Sequence, residues 1–295
     1  MRAAAIFGPG CSIKDLRPFQ ANSESHWIIG PPAESSDADA IVIFGGDGTV
    51  HRHLPQLAKL RLPVLVVPSG SGNDFARALR LRRSRDSLAA WHKFSSDGHN
   101  VWDIDLGLMT PLADKNCAGE APAPHGHLFC CVGGIGLDAE ISRRANLLPR
   151  WLRAHGGYFL SLLPALLKFT PLKASISLSR DGAFVPAHFK RIMVAAFANA
   201  PTYGGGMKIA PQAEFDDGML DVCVVQKMSK VKLFCLFPTI YFGRHLGIPQ
   251  VEYFQTERLR IETQNPTDVY ADGEYVCRTP VEISVARKAL RVIVP

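Results

Sequence analysis

The chain has 295 residues, 47% hydrophobic and 20% charged, and carries a net charge of +6. That composition excludes a disordered or fibrous chain, and the length exceeds the roughly 100–200 residues of one ordinary domain. The positive balance suits an anionic partner, whether nucleotide, nucleic acid or anionic membrane surface, without choosing among them.

Residues 2–7 read as a first buried strand, closed by Gly8-Pro9-Gly10. Their short apolar run is too brief for a secretory signal, and no stretch of the chain reaches the roughly 18–20 apolar residues of a membrane span. Residues 13–35 are weakly patterned. A second strand, 41–44, runs straight into Gly45-Gly46-Asp47-Gly48-Thr49. In open α/β sheets ligands bind at the carboxyl ends of strands, so Asp47 stands where chemistry is expected. Apolar positions 50, 54, 57, 58 and 60 predict a helix over 50–60. A third strand follows at 63–67. The segment 68–74, Pro-Ser-Gly-Ser-Gly-Asn-Asp, then opens a helix over 75–81. This alternation predicts a parallel sheet with right-handed crossovers.

From about residue 99 short strands take over, at 101–108, 127–132, 174–179, 189–198, 219–226, 257–262, 281–285 and 290–294. They predict a mainly antiparallel second domain. Residues 113–124 read as a small-residue, mobile loop. Two apolar helical stretches interrupt the strands. One, 158–169, is flanked by Arg150, Arg153, Lys168 and Lys173; the other, 231–242, by Lys227, Lys230, Lys232 and Arg244. Either they are core helices with solvated ends, or they form an interfacial surface that dips into lipid between basic flanks. The seven cysteines show no metal-binding spacing. They predict reduced, mostly buried thiols, a cytosolic compartment and no zinc site.

Four clusters carry candidate chemistry. The 45–49 turn is either a structural turn or a phosphate site. Segment 68–74 offers open backbone donors and the Ser71 hydroxyl, with Asn73 or Asp74 equally able to cap the next helix. Residues 203–221 contain three consecutive glycines and Asp216-Asp217-Gly218, a plain turn or a source of hard oxygen ligands for a divalent cation. Residues 269–274 end in Asp272-Gly273-Glu274, two carboxylates able to join Asp47 and Asp74 around Mg2+ and to supply a general base. The ten histidines suggest no catalytic triad, and neither a G-x-S-x-G elbow nor a P-loop is present. Lys and Arg do not gather into one aromatic-interleaved patch, so nucleic acid is not an expected partner.

In this order the clusters resemble the diacylglycerol kinase catalytic-domain family, the bacterial soluble lipid kinases related to sphingosine and ceramide kinases. The pattern is GGDGT at 45–49, PxGxxNDFAR at 68–77, GIGxDA at 134–139, NxxxYGGGMxxxPxAxxxDGxLDV at 199–222 and DGE at 272–274. The resemblance implies an α/β plus β fold. An N-terminal domain like that of phosphofructokinases and NAD kinases, residues 1–98, would bind nucleotide, and residues 286–295 would return to it. A C-terminal β-sandwich, residues 99–285, would bind lipid, with the active site in the cleft between the two.

By the same resemblance Gly45, Gly46, Asp47, Gly48, Thr49, Arg52, Gly70, Ser71, Asn73 and Asp74 would bind ATP. Asp47, Asp74 and Asp272 would join a carboxylate, water and Mg2+ network, and Glu274 or Asp272 would take the proton from the lipid hydroxyl. A structural metal would be held by the Asp217 carboxylate and the carbonyls of Glu214 and Met219. The chain departs from the family where residues 8–12 read Gly-Pro-Gly-Cys-Ser in place of Asn-Pro-x-Ser-Gly. His51-Arg52 replace a polar residue followed by Glu, and Cys131 replaces an Asn.

The expectation is a cytoplasmic ATP-dependent lipid kinase, peripheral at the inner face of the membrane, with a homodimer possible. A diacylglycerol-like alcohol is the default acceptor. Asp272→Asn and Glu274→Gln are expected to abolish turnover and leave the fold intact. Two alternatives stand beside it: a soluble kinase of the NAD-kinase type, and a lipid-binding or regulatory protein that has lost ATP use.

Overall fold

The fold was obtained as a computed structural model, which describes residues 1–21, 25–112, 126–147, 157–180, 182–187 and 191–295. The expected 113–124 loop and the flanking Arg150 and Arg153 lie outside the described residues. The N-terminal part contains β1 (Arg2–Phe7), α1 (Ile13–Gln20), β2 (His26–Ile29), β3 (Ala40–Gly45), α2 (Asp47–Leu60), β4 (Val64–Pro68), α3 (Asp74–Ala78) and α4 (Ser84–Asp97). Then come β5 (Val101–Pro111), β6 (His127–Phe129), β7 (Val132–Gly136), α5 (Leu137–Leu147), α6 (Gly157–Lys168), β8 (Ala174–Arg180), β9 (Ala183–Ala187), β10 (Ile192–Ala198) and β11 (Leu220–Gln226). The chain continues through α7 (Lys230–Leu236), two 3-10 segments at Phe237–Phe242 and Arg244–Gly247, and β12 (Val251–Thr256), β13 (Arg258–Thr263), β14 (Asp268–Ala271), β15 (Glu274–Arg278) and β16 (Val281–Ile293).

Strands β2-β1-β3-β4 are parallel, and helices flank them. All six residues of β3 are buried, as expected of a parallel strand covered on both faces. Helix α2 turns Val50, Leu54, Leu57 and Leu60 inward, and Arg61 ends it in the left-handed region. The weakly patterned stretch holds α1, started by a capping box in which Asp15 bonds the Ser12 N–H at 2.8 Å. Helix α4 buries Ser87, Ala90 and Trp91 and stops at Gly98, whose φ is +67°.

The second sheet, β12-β11-β10-β7-β14-β15, is antiparallel throughout. It faces β13, β8, β5 and β16 across a core containing Phe129, Ile135, Phe197, Val222, Leu259 and Ile283. Burying side chains of this size contributes about 1.5–3 kcal/mol each. A third cluster joins α5 and α6 through Leu137, Ile141, Leu162 and Leu166.

The expected strands 281–285 and 290–294 are one strand, β16, which bulges between Ala286 and Leu290. Its polar run Arg287-Lys288 breaks the apolar pattern at the bulge, where Lys288 takes a φ of +48°. Buried Asp105 pins this point, accepting from Lys288 N at 2.6 Å and Gly218 N at 2.8 Å. Beyond the bulge Val292 pairs in parallel with Val64 of β4. Thus β16 and its partner β5 belong to the sandwich at one end and to the N-terminal sheet at the other.

Two helical expectations are corrected and one unforeseen helix appears. The helix over 75–81 is one short turn, 74–78, released by Leu79 and Arg80, the latter at a φ of +64°. The helix over 231–242 is α-helical only to Leu236. Past it the chain tightens into the 3-10 segment, with Pro238, which has no N–H to donate, near its start. Helix α5, not expected from the pattern, springs from Gly136 at the end of β7. Among the described residues no helix is long and apolar enough to cross a membrane.

Candidate active site

A cavity of about 820 Å3 opens at the carboxyl ends of β3 and β4. The first turns of α2 supply Gly46, Asp47, Gly48, Thr49 and Arg52; the β4–α3 loop supplies Ser69, Gly70, Ser71, Gly72 and Asp74. The opposite wall comes from the sandwich side, with Tyr203 to Gly205, Asp272, Gly273 and Glu274. Two loops of the N-terminal sheet touch through bare backbone. A Cβ on Gly46 would stand 2.7 Å from Gly70 Cα, and one on Gly70 would stand 2.6 Å from Gly46 Cα. Any side chain at either position would force the two loops apart.

Asp47 joins the loops. Its carboxylate accepts the Asp74 and Phe75 N–H groups, both at 3.0 Å, so it caps α3 from the neighbouring loop. Burial pushes its carboxyl up to about 6; the Asp74 and Asp272 charges add to the rise, and the two N–H bonds oppose it. Asp74 pairs with Arg77 at 2.5 Å and accepts from Gly205 N at 2.7 Å, tying the α3 turn to the glycine-rich 203–206 loop. Burial raises its carboxyl against the Gly205 bond and the Arg77 charge.

Asp272 and Glu274 share one tight turn but not one environment. Asp272 sits at a φ of +50° with its side chain fully covered. It accepts from Cys130 N and Cys131 N at 2.8 Å, Val132 N at 3.3 Å and His51 Nδ1 at 3.1 Å. Burial works against its charge, yet the His51 bond and charge and the strand amides hold its carboxyl below the usual range. The same partnership holds the His51 imidazole above its ordinary value despite burial. Glu274 is exposed, and its Oε1 lies 3.0 Å from where a Cβ of Gly48 would stand. Glu274 therefore reaches the start of α2, whereas Asp272 is spent on holding the turn.

That corrects the expectation that Asp272→Asn leaves the fold intact. An amide turns an N–H2 toward backbone donors in place of an oxygen. Unfolding in denaturant is expected to show a loss of about 2 kcal/mol, the cost of leaving buried donors unsatisfied.

The remaining candidates fall into place around this core. Gly45 lies behind the cavity, packed on Thr49. Asn73 does not line it; its side chain closes the loop by accepting from Gly70 N at 2.8 Å and donating to Gly70 O at 2.7 Å. Arg52 is exposed at the rim. Glu214, Asp217 and Met219 do not line the cavity. Asp217 accepts from Met219 N at 2.8 Å and from Gln255 Nε2 at 3.2 Å. Burial raises the neighbouring Asp221 carboxyl, and the charges of Asp217 and Glu214 add to it. Three carboxylates in one turn region are the donor chemistry a hard cation takes.

Cys130 Sγ and Cys131 Sγ lie 3.9 Å apart beneath Asp272. Burial pushes the Cys130 thiol up to about 12, and its Sγ lies 3.3 Å from Asp272 Oδ2, to which it donates. Sequence reasoning missed Ser142 and Asn146 of α5, which line the cavity one turn apart; Asn146 Nδ2 donates to Gly273 O at 2.7 Å. Their i, i+4 spacing after residues 134–139 was the available signal.

An α/β sheet and an antiparallel sandwich enclose this carboxylate- and glycine-lined cavity, an architecture of the diacylglycerol kinase and NAD kinase folds. Residues 28–107 match the diacylglycerol kinase catalytic domain, and residues 132–294 match the YegS C-terminal NAD kinase beta sandwich-like domain. The chain is 32% identical to a diacylglycerol kinase of Mycobacterium tuberculosis over 97% of its own length and 86% of that protein's. It is 25% identical to a diacylglycerol kinase of Bacillus subtilis, over 87% of this chain and 78% of that one. A diacylglycerol kinase structure from Bacillus anthracis superposes with a TM-score of 0.68 at 19% identity, covering 100% of this chain and 97% of the other. An NAD kinase from Archaeoglobus fulgidus in complex with ATP shares the fold more distantly, at a TM-score of 0.50 and 14% identity over 99% of this chain and 93% of that one. The chain belongs to the diacylglycerol kinase family, and it is a kinase.

Proposed function

We propose that the protein transfers the γ-phosphate of ATP to the hydroxyl of a diacylglycerol-like lipid within the described cavity. The observation that carries this reading is the approach of Glu274 to Gly48. A proton acceptor from the sandwich meets the first turn of α2, where backbone donors and the helix dipole favour phosphate. The ATP phosphates lie along residues 46–49 and the Gly70-Ser71 loop, and the exposed Arg52 guanidinium neutralises phosphate charge. Mg2+ supplies charge neutralisation on the phosphates when bound. Asp47 and Asp74 fix the loop geometry beside it. Glu274 accepts the proton of the lipid hydroxyl as that oxygen bonds the γ-phosphorus and the bond to the ADP oxygen breaks. Asp272 holds the turn and does not take the proton. Asp217, with the carbonyls of Glu214 and Met219, would hold a structural cation there.

The acceptor arrives from a membrane surface. Helix α6 buries Leu162, Ala165 and Leu166 but exposes Leu163 and Leu167. Beyond it Val231, Phe234 and Phe242 are exposed, with Lys168, Lys230 and Lys232 among them. Lys230 Nζ donates to Leu167 O at 2.6 Å, so the two helices present one face. Helix α6 thus has a core side and an apolar outer side, whereas α7 and the 3-10 segment after it bury no residue, Leu233 and Phe237 being only partly covered. This supports a cytoplasmic enzyme resting on the inner, anionic face of the membrane.

Incubation with labelled ATP and a lipid panel tests the reading, with a labelled phosphatidic-acid-type product expected; no labelled lipid would end it. Leu167→Asp with Phe242→Asp is expected to weaken binding to phosphatidylglycerol vesicles about tenfold, through lost apolar burial and added anionic repulsion. Unchanged co-sedimentation would remove this face from the model of docking.

A further inference from the structure

His51 stands where the family pattern has another polar residue, and the reading above gives it no part in the chemistry. We propose that His51 is a positioning residue: the hydrogen bond it donates to the buried Asp272 fastens the turn carrying Glu274 to the helix that begins at the phosphate site. The inference rests on the kinase reading for its consequence, but the fastening itself stands on geometry.

The turn is gripped from three sides. Strand amides of Cys130, Cys131 and Val132 hold Asp272 within its own sheet. Asn146 of α5 holds Gly273 O at 2.7 Å. His51 Nδ1, 3.1 Å from Asp272 Oδ2, is the contact from α2, and among the described residues no other N-terminal side chain reaches that carboxylate. Gly48 and His51 are three residues apart on α2, hence on one face. One leaves room for the Glu274 carboxylate; the other holds the turn that bears it. With 16% of the His51 side chain and none of that of Asp272 exposed, water competes little for the bond.

The function needs an N–H donor of about this reach, not an imidazole as such. His51→Leu fills similar space without the donor. Because a displacement of about 1 Å at a reacting group can cost about a hundredfold in rate, its kcat is expected to fall ten- to a hundredfold. The KM for ATP should stay within about twofold, since the phosphate-facing residues are untouched. His51→Asn restores a donor and is expected to recover kcat to within about threefold of the parent.

Amide exchange supplies a readout that needs no turnover. Residues 130–132 and 268–276 are expected to exchange faster in His51→Leu and at the parent rate in His51→Asn. If the Leu variant does not fold, His51→Ala, which leaves space instead of filling it, repeats the comparison. The proposal is overturned by a donorless variant with parental kcat or parental exchange, or by an Asn variant as impaired as the donorless one. If the parent protein phosphorylates no lipid, the kinase reading fails on its own, and the exchange experiment still decides the fastening.

Discussion

Glu274→Gln is expected to lower kcat about a thousandfold, within the range that a positioned general base contributes. The KM for ATP should change little, because Glu274 faces the acceptor side of the cavity. The case for this residue over its neighbour rests on how their oxygens are used. Every oxygen of Asp272 already accepts a strand amide or the His51 bond, and its carboxyl is held below the usual range, which makes it a poor proton acceptor. Glu274 is exposed, and among the described residues no hydrogen bond or ion pair holds its carboxylate. The amide keeps its size and reach but cannot take a proton. Stability therefore should not move, in contrast to Asp272→Asn. A labelled-ATP assay alongside denaturant unfolding separates the two variants. Parental turnover in Glu274→Gln would remove the base assignment.

Much of this was legible from residue types alone. Buried parallel strands announce themselves as unbroken apolar runs, and β3 with its glycine turn was plain in Ile41 to Thr49. Two of the four clusters, 45–49 and 68–74, stand at the ends of such strands, where side chains and bare backbone must be exposed together; the other two follow strands of the antiparallel sheet. Other elements were hidden for physical reasons. Residues 286–289 read as a gap because a bulge points polar side chains outward, although the strand continues through them. Helix α5 follows a strand of Val132, Gly133, Gly134, Ile135 and Gly136 whose glycines carry no pattern.

The division of labour between Asp272 and Glu274 could not be read from sequence. Both flank Gly273 in the same tripeptide, and only the packing of residues 130–132 against one of them sets them apart. His51 was equally opaque, since its partner lies 221 residues away along the chain.

Asp47 should make stability and turnover move in opposite directions with pH. Its carboxyl is raised from 3.8 to about 6 in the folded chain, first by burial and then by Asp74. The folded state therefore holds this proton more tightly than the unfolded state does. The stabilisation is fully present below about pH 4 and is lost as pH rises through about 6. Tm should fall across that window. Turnover should rise across it, because the anion accepts the Asp74 and Phe75 amides and keeps the β4–α3 loop in place.

Other groups are separable by sign and range. The raised carboxyls of Asp74 and Asp221 contribute in the same direction, so they set whatever slope remains without Asp47. The lowered carboxyl of Asp272 loses its contribution only on acidification below the window. The raised imidazole of His51 loses its own only above it. Asp47→Asn removes the titration and leaves one amide without an anionic acceptor. It is expected to flatten the Tm slope between pH 4 and 6 and to lower kcat about a hundredfold, as for loss of one preorganised electrostatic contact. Thermal unfolding and turnover measured on both proteins at the same pH values decide it. A parental slope in Tm that survives the substitution would assign the titration to the other raised carboxyls, Asp74 and Asp221, instead. An unchanged kcat would mean that the loop keeps its place without the anion, and that Asp47 serves the fold more than the transfer.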